Sequence, residues 1–168
     1  ASRGPEYDTS TTHVEVGPGE SFGVDAVLSR VVDTKGWVAV DPHLHARNSI
    51  DASITLDDRV RWVAAEGVEW AVSTDHNFVT DLGPYVARNG LVPWVRSSVG
   101  LEVTTLESGH FNGYPLRYQI GSPTHGAIEW VGKPPGELFS EMRGLGDPAA
   151  TLVQVNHPRD SILGYFSD

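Results

Sequence analysis

Apolar and polar positions along this chain repeat with two different periods. From Thr11 to Leu28 they alternate: Thr12, Val14 and Val16 face one way and His13 and Glu15 the other. After Gly17-Pro18-Gly19-Glu20 the alternation resumes through Phe22, Val24, Ala26 and Leu28. Period two on both sides of a Gly/Pro turn predicts a β-hairpin. Two strands alone are marginal in water, so the hairpin has to pack on something else. His13 falls on its polar side, a surface position, and residues 1 to 10 read as a polar tail.

From Gly36 onward strand and helix patterns take turns. Trp37 to Val40 predicts a buried strand whose regular pairing stops near Asp41-Pro42, because proline has no N–H for a ladder. Thr55 with Asp58 resembles a capping box, Leu56, Val60, Val63 and Ala64 share one helical face, and Gly67 can close the helix. Val68 to Thr74 predicts a second strand, and strand, helix, strand predicts a right-handed crossover with parallel strands. Asp81 to Asn89 predicts a short helix with Pro84 in its first turn, and Val99 to Thr104 a third strand. Another extended piece starts at Gly109-His110-Phe111-Asn112. Residues 117 to 136, with His125 among them, read as loop. An amphipathic helix carrying Leu138, Phe139 and Met142 follows, then a buried strand from Thr151 to Val155. The expected division is residues 1–35 as tail and hairpin and 36–168 as an α/β unit.

The ends of the predicted strands carry the chemistry. His43 and His45 are two apart, so in extended backbone both imidazoles face one side. The second strand runs into Asp75-His76-Asn77, Glu102 interrupts the apolar run of the third, His110 follows it, and the last strand runs into Asn156-His157-Pro158-Arg159. Singly, each has an ordinary reading: Asp75 as a helix cap, Glu102 as an edge residue, Asn156-His157-Pro158 as a turn. Those readings give no reason for all of them to sit at strand ends, which converge on one face when strands are parallel. Five histidines and a glutamate with no lysine beside them suit a cation. Imidazole and carboxylate ligands fit zinc, manganese or iron(II) in sites that keep positions open for water.

Composition narrows the classes. Twelve basic against 22 acidic residues leave a formal charge of −10, which disfavours nucleic acid or an anionic membrane surface as partner. Cysteine is absent, so disulfides and thiolate metal sites are excluded. No apolar run is long enough for a membrane span. The Ala start without a charged, apolar leader and the lack of cysteine fit an exported bacterial protein.

The ordered set Asp41-Pro42-His43-Leu44-His45, Ser73-Thr74-Asp75-His76-Asn77, Gly100-Leu101-Glu102, Gly109-His110-Phe111-Asn112 and Asn156-His157-Pro158-Arg159 resembles the PHP (polymerase and histidinol phosphatase) metallohydrolases, most of all their carbaryl-hydrolase-like branch. The resemblance covers about residues 30 to 166. It implies a distorted (β/α)7 barrel with two or three divalent metal ions. His43 and His45 would bind the first, Glu102 would bridge two, and His110 and His157 would complete the second. His76 and Asp51 would belong to a third. The branch carries a β domain before its barrel, and the hairpin at 11 to 28 resembles its last piece.

One departure stands out: relatives supply a late Asp-x-His pair, and nothing after Arg159 provides it. A complete barrel needs roughly 250 residues. The expected fold is therefore an incomplete barrel, the front part of a larger protein, with the remainder as a second fragment or partner chain. The expected activity is hydrolysis of a small phosphoester, carboxylic ester or carbamate by metal-activated water, with Asp75 orienting His76 or shuttling a proton and Arg159 holding an oxyanion. A non-catalytic metal-binding or interaction fragment is the alternative.

Overall fold

The computed structural model describes residues 1–166. Six strands and three helices follow in the order β1 (Val40–Leu44), α1 (Leu56–Ala65), β2 (Trp70–Ser73), α2 (Gly83–Arg88), β3 (Arg96–Ser98), β4 (Leu101–Thr104), β5 (His110–Tyr114), α3 (Pro135–Gly144) and β6 (Leu152–Val155). They build a mixed α/β fold with two three-stranded sheets, β1-β2-β3 and β4-β5-β6, and the described residues form no closed barrel.

The first sheet is the crossover that the patterning predicts. β1 pairs with β2 and β2 with β3, all parallel. Helix α1 connects β1 to β2, and its punctuation is local. The Thr55 hydroxyl accepts the Asp58 N–H at 3.1 Å and donates to the Asp58 carboxylate at 2.7 Å. At the other end Gly67 takes a left-handed φ of 77° while Val68 N–H bonds back to the Val63 carbonyl. Leu56, Val60, Val63 and Ala64 are buried against Ala71, Leu82, Val86 and Val95. The parallel strand β3 was not among the predicted elements; its sequence, Arg96-Ser97-Ser98, has no apolar signature.

The second sheet is antiparallel throughout, β4 with β5 and β5 with β6. Since β5 runs against both neighbours, β4 and β6 point the same way. A parallel bridge from His76 to Glu102 joins the end of β2 to β4, so the ends of β1, β2, β4 and β6 share a direction. Helix α3 covers this sheet with Leu138 and Met142 buried among Leu101, Val103 and Phe111.

Two expectations are corrected. The hairpin at 11 to 28 does not form: Gly17 and Glu20 close a turn, yet no ladder flanks it, and Phe22, Val24 and Val27 are exposed. Two ribbons without a third surface do not repay their ordering entropy. Regular pairing of β1 does stop at Asp41-Pro42 as expected: the strand extends to Leu44, but its register is irregular between Asp41 and Leu44, where proline supplies no N–H. Finally, the first and last strands are not buried. Val40 is 53% exposed and Leu152 59%, because β1 and β6 are edge strands whose outer sides meet no further strand among the described residues.

Candidate metal centre

Glu102 sits on β4 with none of its surface exposed, and imidazoles converge on both of its oxygens. Oε2 lies 3.2 Å from His43 Nε2, His45 Nε2 and His76 Nδ1. Oε1 lies 3.1 Å from His110 Nδ1 and 4.0 Å from His157 Nε2. Among the described residues, three groups of ligand atoms are close enough to hold an ion: His43, His45 and Glu102; His76, Glu102 and His110; and His45, Asp51 and His76.

Each histidine arrives by a backbone device. His43 and His45 extend from the same strand end, two residues apart. His76 is presented by Asn77, whose left-handed φ of 51° turns its side chain onto Thr104, taking the Thr104 N–H at 3.0 Å; Asn77 N–H bonds to the Glu102 carbonyl at 2.8 Å. His110 comes from the start, not the end, of a strand. Because β5 is antiparallel and pairs His110 with Thr104 and Asn112 with Glu102, its beginning lies where the other strands finish. His157 follows β6 with a φ of 25° and is the most exposed of the five.

An amide chain holds the carboxylate. Asn156 donates to Glu102 Oε1 at 2.9 Å and to Asn112 Oδ1 at 2.7 Å, both buried, while Asn112 donates to the Pro42 carbonyl at 3.2 Å. Gln154 donates to Asn156, and the Tyr114 hydroxyl donates to Gln154. The Asn112 link ties β5 of one sheet to β1 of the other, beside His43. Asn112 and Asn156 stand in the resembling motifs, but the sequence gives neither them nor Gln154 and Tyr114 this supporting role. Alternation would have flagged Asn112 on the face of His110 and Gln154 on the face of Asn156.

No family model matches this chain, and no curated protein matches it. The reading of the centre therefore rests on its own chemistry.

The electrostatics suit a cation. Burial alone would push the Glu102 carboxyl up, but hydrogen bonds from His43, His45 and Asn156 and the nearby His76 hold it well below the usual carboxylate range. Burial also opposes charge on His45, yet Glu102, with Asp51 and Asp75, outweighs it and raises its pKa. His110 goes the other way: burial, with His157 and His76 nearby, lowers it and keeps the ring neutral with a lone pair free. His110 Nδ1 is buried 3.1 Å from Glu102 Oε1 without a satisfactory hydrogen-bond geometry. A buried imidazole nitrogen left poorly partnered beside a carboxylate fits a metal ligand, and the set as a whole fits a divalent ion.

The two expected catalytic residues lie apart from these ligand atoms. Asp75 is fully buried; Oδ1 accepts the Ala46 N–H at 2.6 Å and Oδ2 the Thr80 hydroxyl. Burial raises its pKa against those two bonds. It ties the loop after β1 to the end of β2, an orienting position between His45 and His76. Arg159 is exposed and makes no hydrogen bond or ion pair among the described residues. A polar cavity of about 340 Å³ is lined by Arg47, Asn48, Asp57, Thr80, Asp81 and Arg88 among others, and by none of the ligand residues. Asn48 bonds to Thr80 at 3.1 Å, so the wall of this cavity is continuous with the support of Asp75.

Proposed function

We propose that this chain carries the metal centre of a PHP-type metal-dependent hydrolase that cleaves phosphoester, carboxylic ester or carbamate bonds in small molecules. The observation that carries the reading is Glu102, with imidazole nitrogens near both oxygens: His43, His45 and His76 at Oε2, His110 and His157 at Oε1. A carboxylate approached this way is disposed to bridge two ions, His43 and His45 serving one oxygen and His110 and His157 the other.

Bound zinc, manganese or iron would supply water activation near neutral pH, lowering its pKa from about 15.7 toward 7, and would polarise the substrate's P=O or C=O. The chain's own residues do the rest. Glu102 is held at fixed orientation by Asn156, so its two oxygens stay directed at different histidine sets. Asp75 orients the strand ends that bear His45 and His76. The polar cavity, whose lining includes Arg47 two residues from His45 and Thr80 bonded to Asp75, is where the non-reacting part of a substrate would sit.

The resemblance to PHP enzymes further suggests that additional polypeptide completes the barrel along the open edges of β1 and β6. Trp37, Val38 and Val40 on one side and Leu152 on the other leave apolar surface there. That same feature favours the second reading, a non-catalytic metal-binding or interaction fragment of a larger complex.

Metal content per chain after gel filtration tests the proposal. About two or more equivalents of zinc, manganese or iron are expected, with hydrolysis of 4-nitrophenyl phosphate, aryl esters or aryl carbamates that a chelator abolishes. Folded protein holding less than about a tenth of an equivalent, and taking up none on titration, would remove the metal reading. Metal without hydrolysis would favour the fragment reading.

A further inference from the structure

Of the three ligand groups, the one built from His45, Asp51 and His76 is the third metal position that the PHP resemblance implies. Its donors and acceptors can be counted through Ser49, a buried residue that sequence analysis passed over. The Ser49 hydroxyl lies 2.6 Å from Asp51 Oδ1, 3.0 Å from His45 Nδ1 and 3.1 Å from the backbone N–H of His76. Two oxygens 2.6 Å apart need a proton between them, and a carboxylate has none to give, so the single hydroxyl proton goes to Asp51. That leaves two lone pairs on Ser49 Oγ. One accepts His76 N–H, and the other has to accept from His45, whose Nδ1 therefore carries hydrogen.

The consequence concerns the metal count. A neutral imidazole protonated on Nδ1 has its lone pair on Nε2, and His45 Nε2 faces Glu102 at 3.2 Å. His45 can thus ligate on the Glu102 side only. The position at Asp51 keeps two side chains at most, Asp51 and His76 Nε2, which lie 3.4 Å apart. His76 Nδ1 already lies 3.2 Å from Glu102 Oε2, so the ring also serves the Glu102 cluster. Two ligands, one of them a carboxylate whose side chain is 53% exposed, are too few beside the three-ligand sets centred on Glu102.

We infer that the centre takes two metal ions, not three, and that Asp51 is no ligand but a positioning residue, which with Ser49 fixes the Nδ1–H tautomer of His45. This arrangement is the carboxylate-to-histidine-to-metal relay in which an outer acceptor orients the ligand ring and raises its basicity. The inference rests on the metal reading above.

Titration of the metal-stripped chain with Zn²⁺, read by metal analysis and calorimetry, tests it. Two equivalents are expected in the wild type. Asp51→Ala should still take up two, with one bound about 10- to 100-fold more weakly. Asp51 is exposed, so this variant keeps the fold; Ser49→Ala should weaken the same ion. Long-range ¹H–¹⁵N spectra of the metal-free chain, read where His45 is neutral, should give the Nδ1–H form for His45 in the wild type and a mixture in Ser49→Ala. Three equivalents in the wild type, falling to two in Asp51→Ala with the others unaltered, would overturn the inference and leave the hydrolase reading standing. So would an Nε2–H form of His45. Failure to take up any zinc would overturn the metal reading itself, and the count with it.

Discussion

At the scale of single residues, one carboxylate organises everything around it. Removing the charge of Glu102 while keeping its shape, as in Glu102→Gln, is expected to weaken metal uptake by more than the roughly 10- to 100-fold typical of losing an outer partner, measured by competition with a chelating dye. The same residue sets the protonation of its neighbours. In metal-free protein, His45 should titrate above the ordinary imidazole value of 6.5 and His110 below it, read by NMR. Glu102→Gln should bring His45 down, since burial then acts with less opposition. The sign for binding follows: the proton on His45 Nε2 competes with the metal until pH passes its raised value. Uptake is therefore expected to strengthen as pH rises through 6.5 and beyond, seen in metal titrations at stepped pH. The ligand types were legible in the sequence because histidines at strand ends stand out from apolar runs. Their supports were not, because Ser49 and Asn156 resemble any polar loop residue until the partner they meet is known.

At the scale of elements, local signals decided the helices and close approaches decided the sheets. Thr55 caps α1 through bonds within three residues, so Thr55→Ala should cost about 1 kcal/mol in urea denaturation. Gly100 shows the opposite situation. A Cβ there would lie 2.4 Å from the Ser73 carbonyl oxygen and 3.2 Å from that of Gly113, where the end of β2 meets the second sheet. Gly100→Ala is expected to destabilise by about 1–3 kcal/mol, as overpacking does, and to weaken metal uptake because Glu102 is two residues on. Thermal unfolding with and without zinc would read both effects. Nothing in the pattern around Gly100 marks the contact, which joins segments nearly thirty positions apart. The direction of β5 was equally hidden: alternation tells which residues share a face, not which way the neighbouring strand runs.

At the scale of the whole molecule, the two sheets meet at the candidate metal centre. The Asn112 bond to Pro42 and the His76 to Glu102 bridge are links between the sheets, and both lie at the cluster. The outer edges of β1 and β6 carry exposed apolar residues and pair with no further strand among the described residues. Trp37 is 81% exposed on the approach to β1, and such an edge is a template for another strand. The chain alone is expected to self-associate with rising concentration in sedimentation velocity, and lysines at Val38 and Val40 should reduce it. No helix among the described residues is long and apolar enough to cross a membrane.

By itself the sequence determined the helices, the parallel crossover of β1, α1 and β2, and the kinds of atom gathered at the strand ends. These depend on periodicity, caps and residue type within a dozen positions. Only the tertiary structure decided that residues 11 to 28 lack a ladder, that β5 delivers His110 from its beginning, and that Asn156 meets Glu102. Each of those depends on which distant surface or hydrogen-bond partner is available, and one strand's residues do not carry that information.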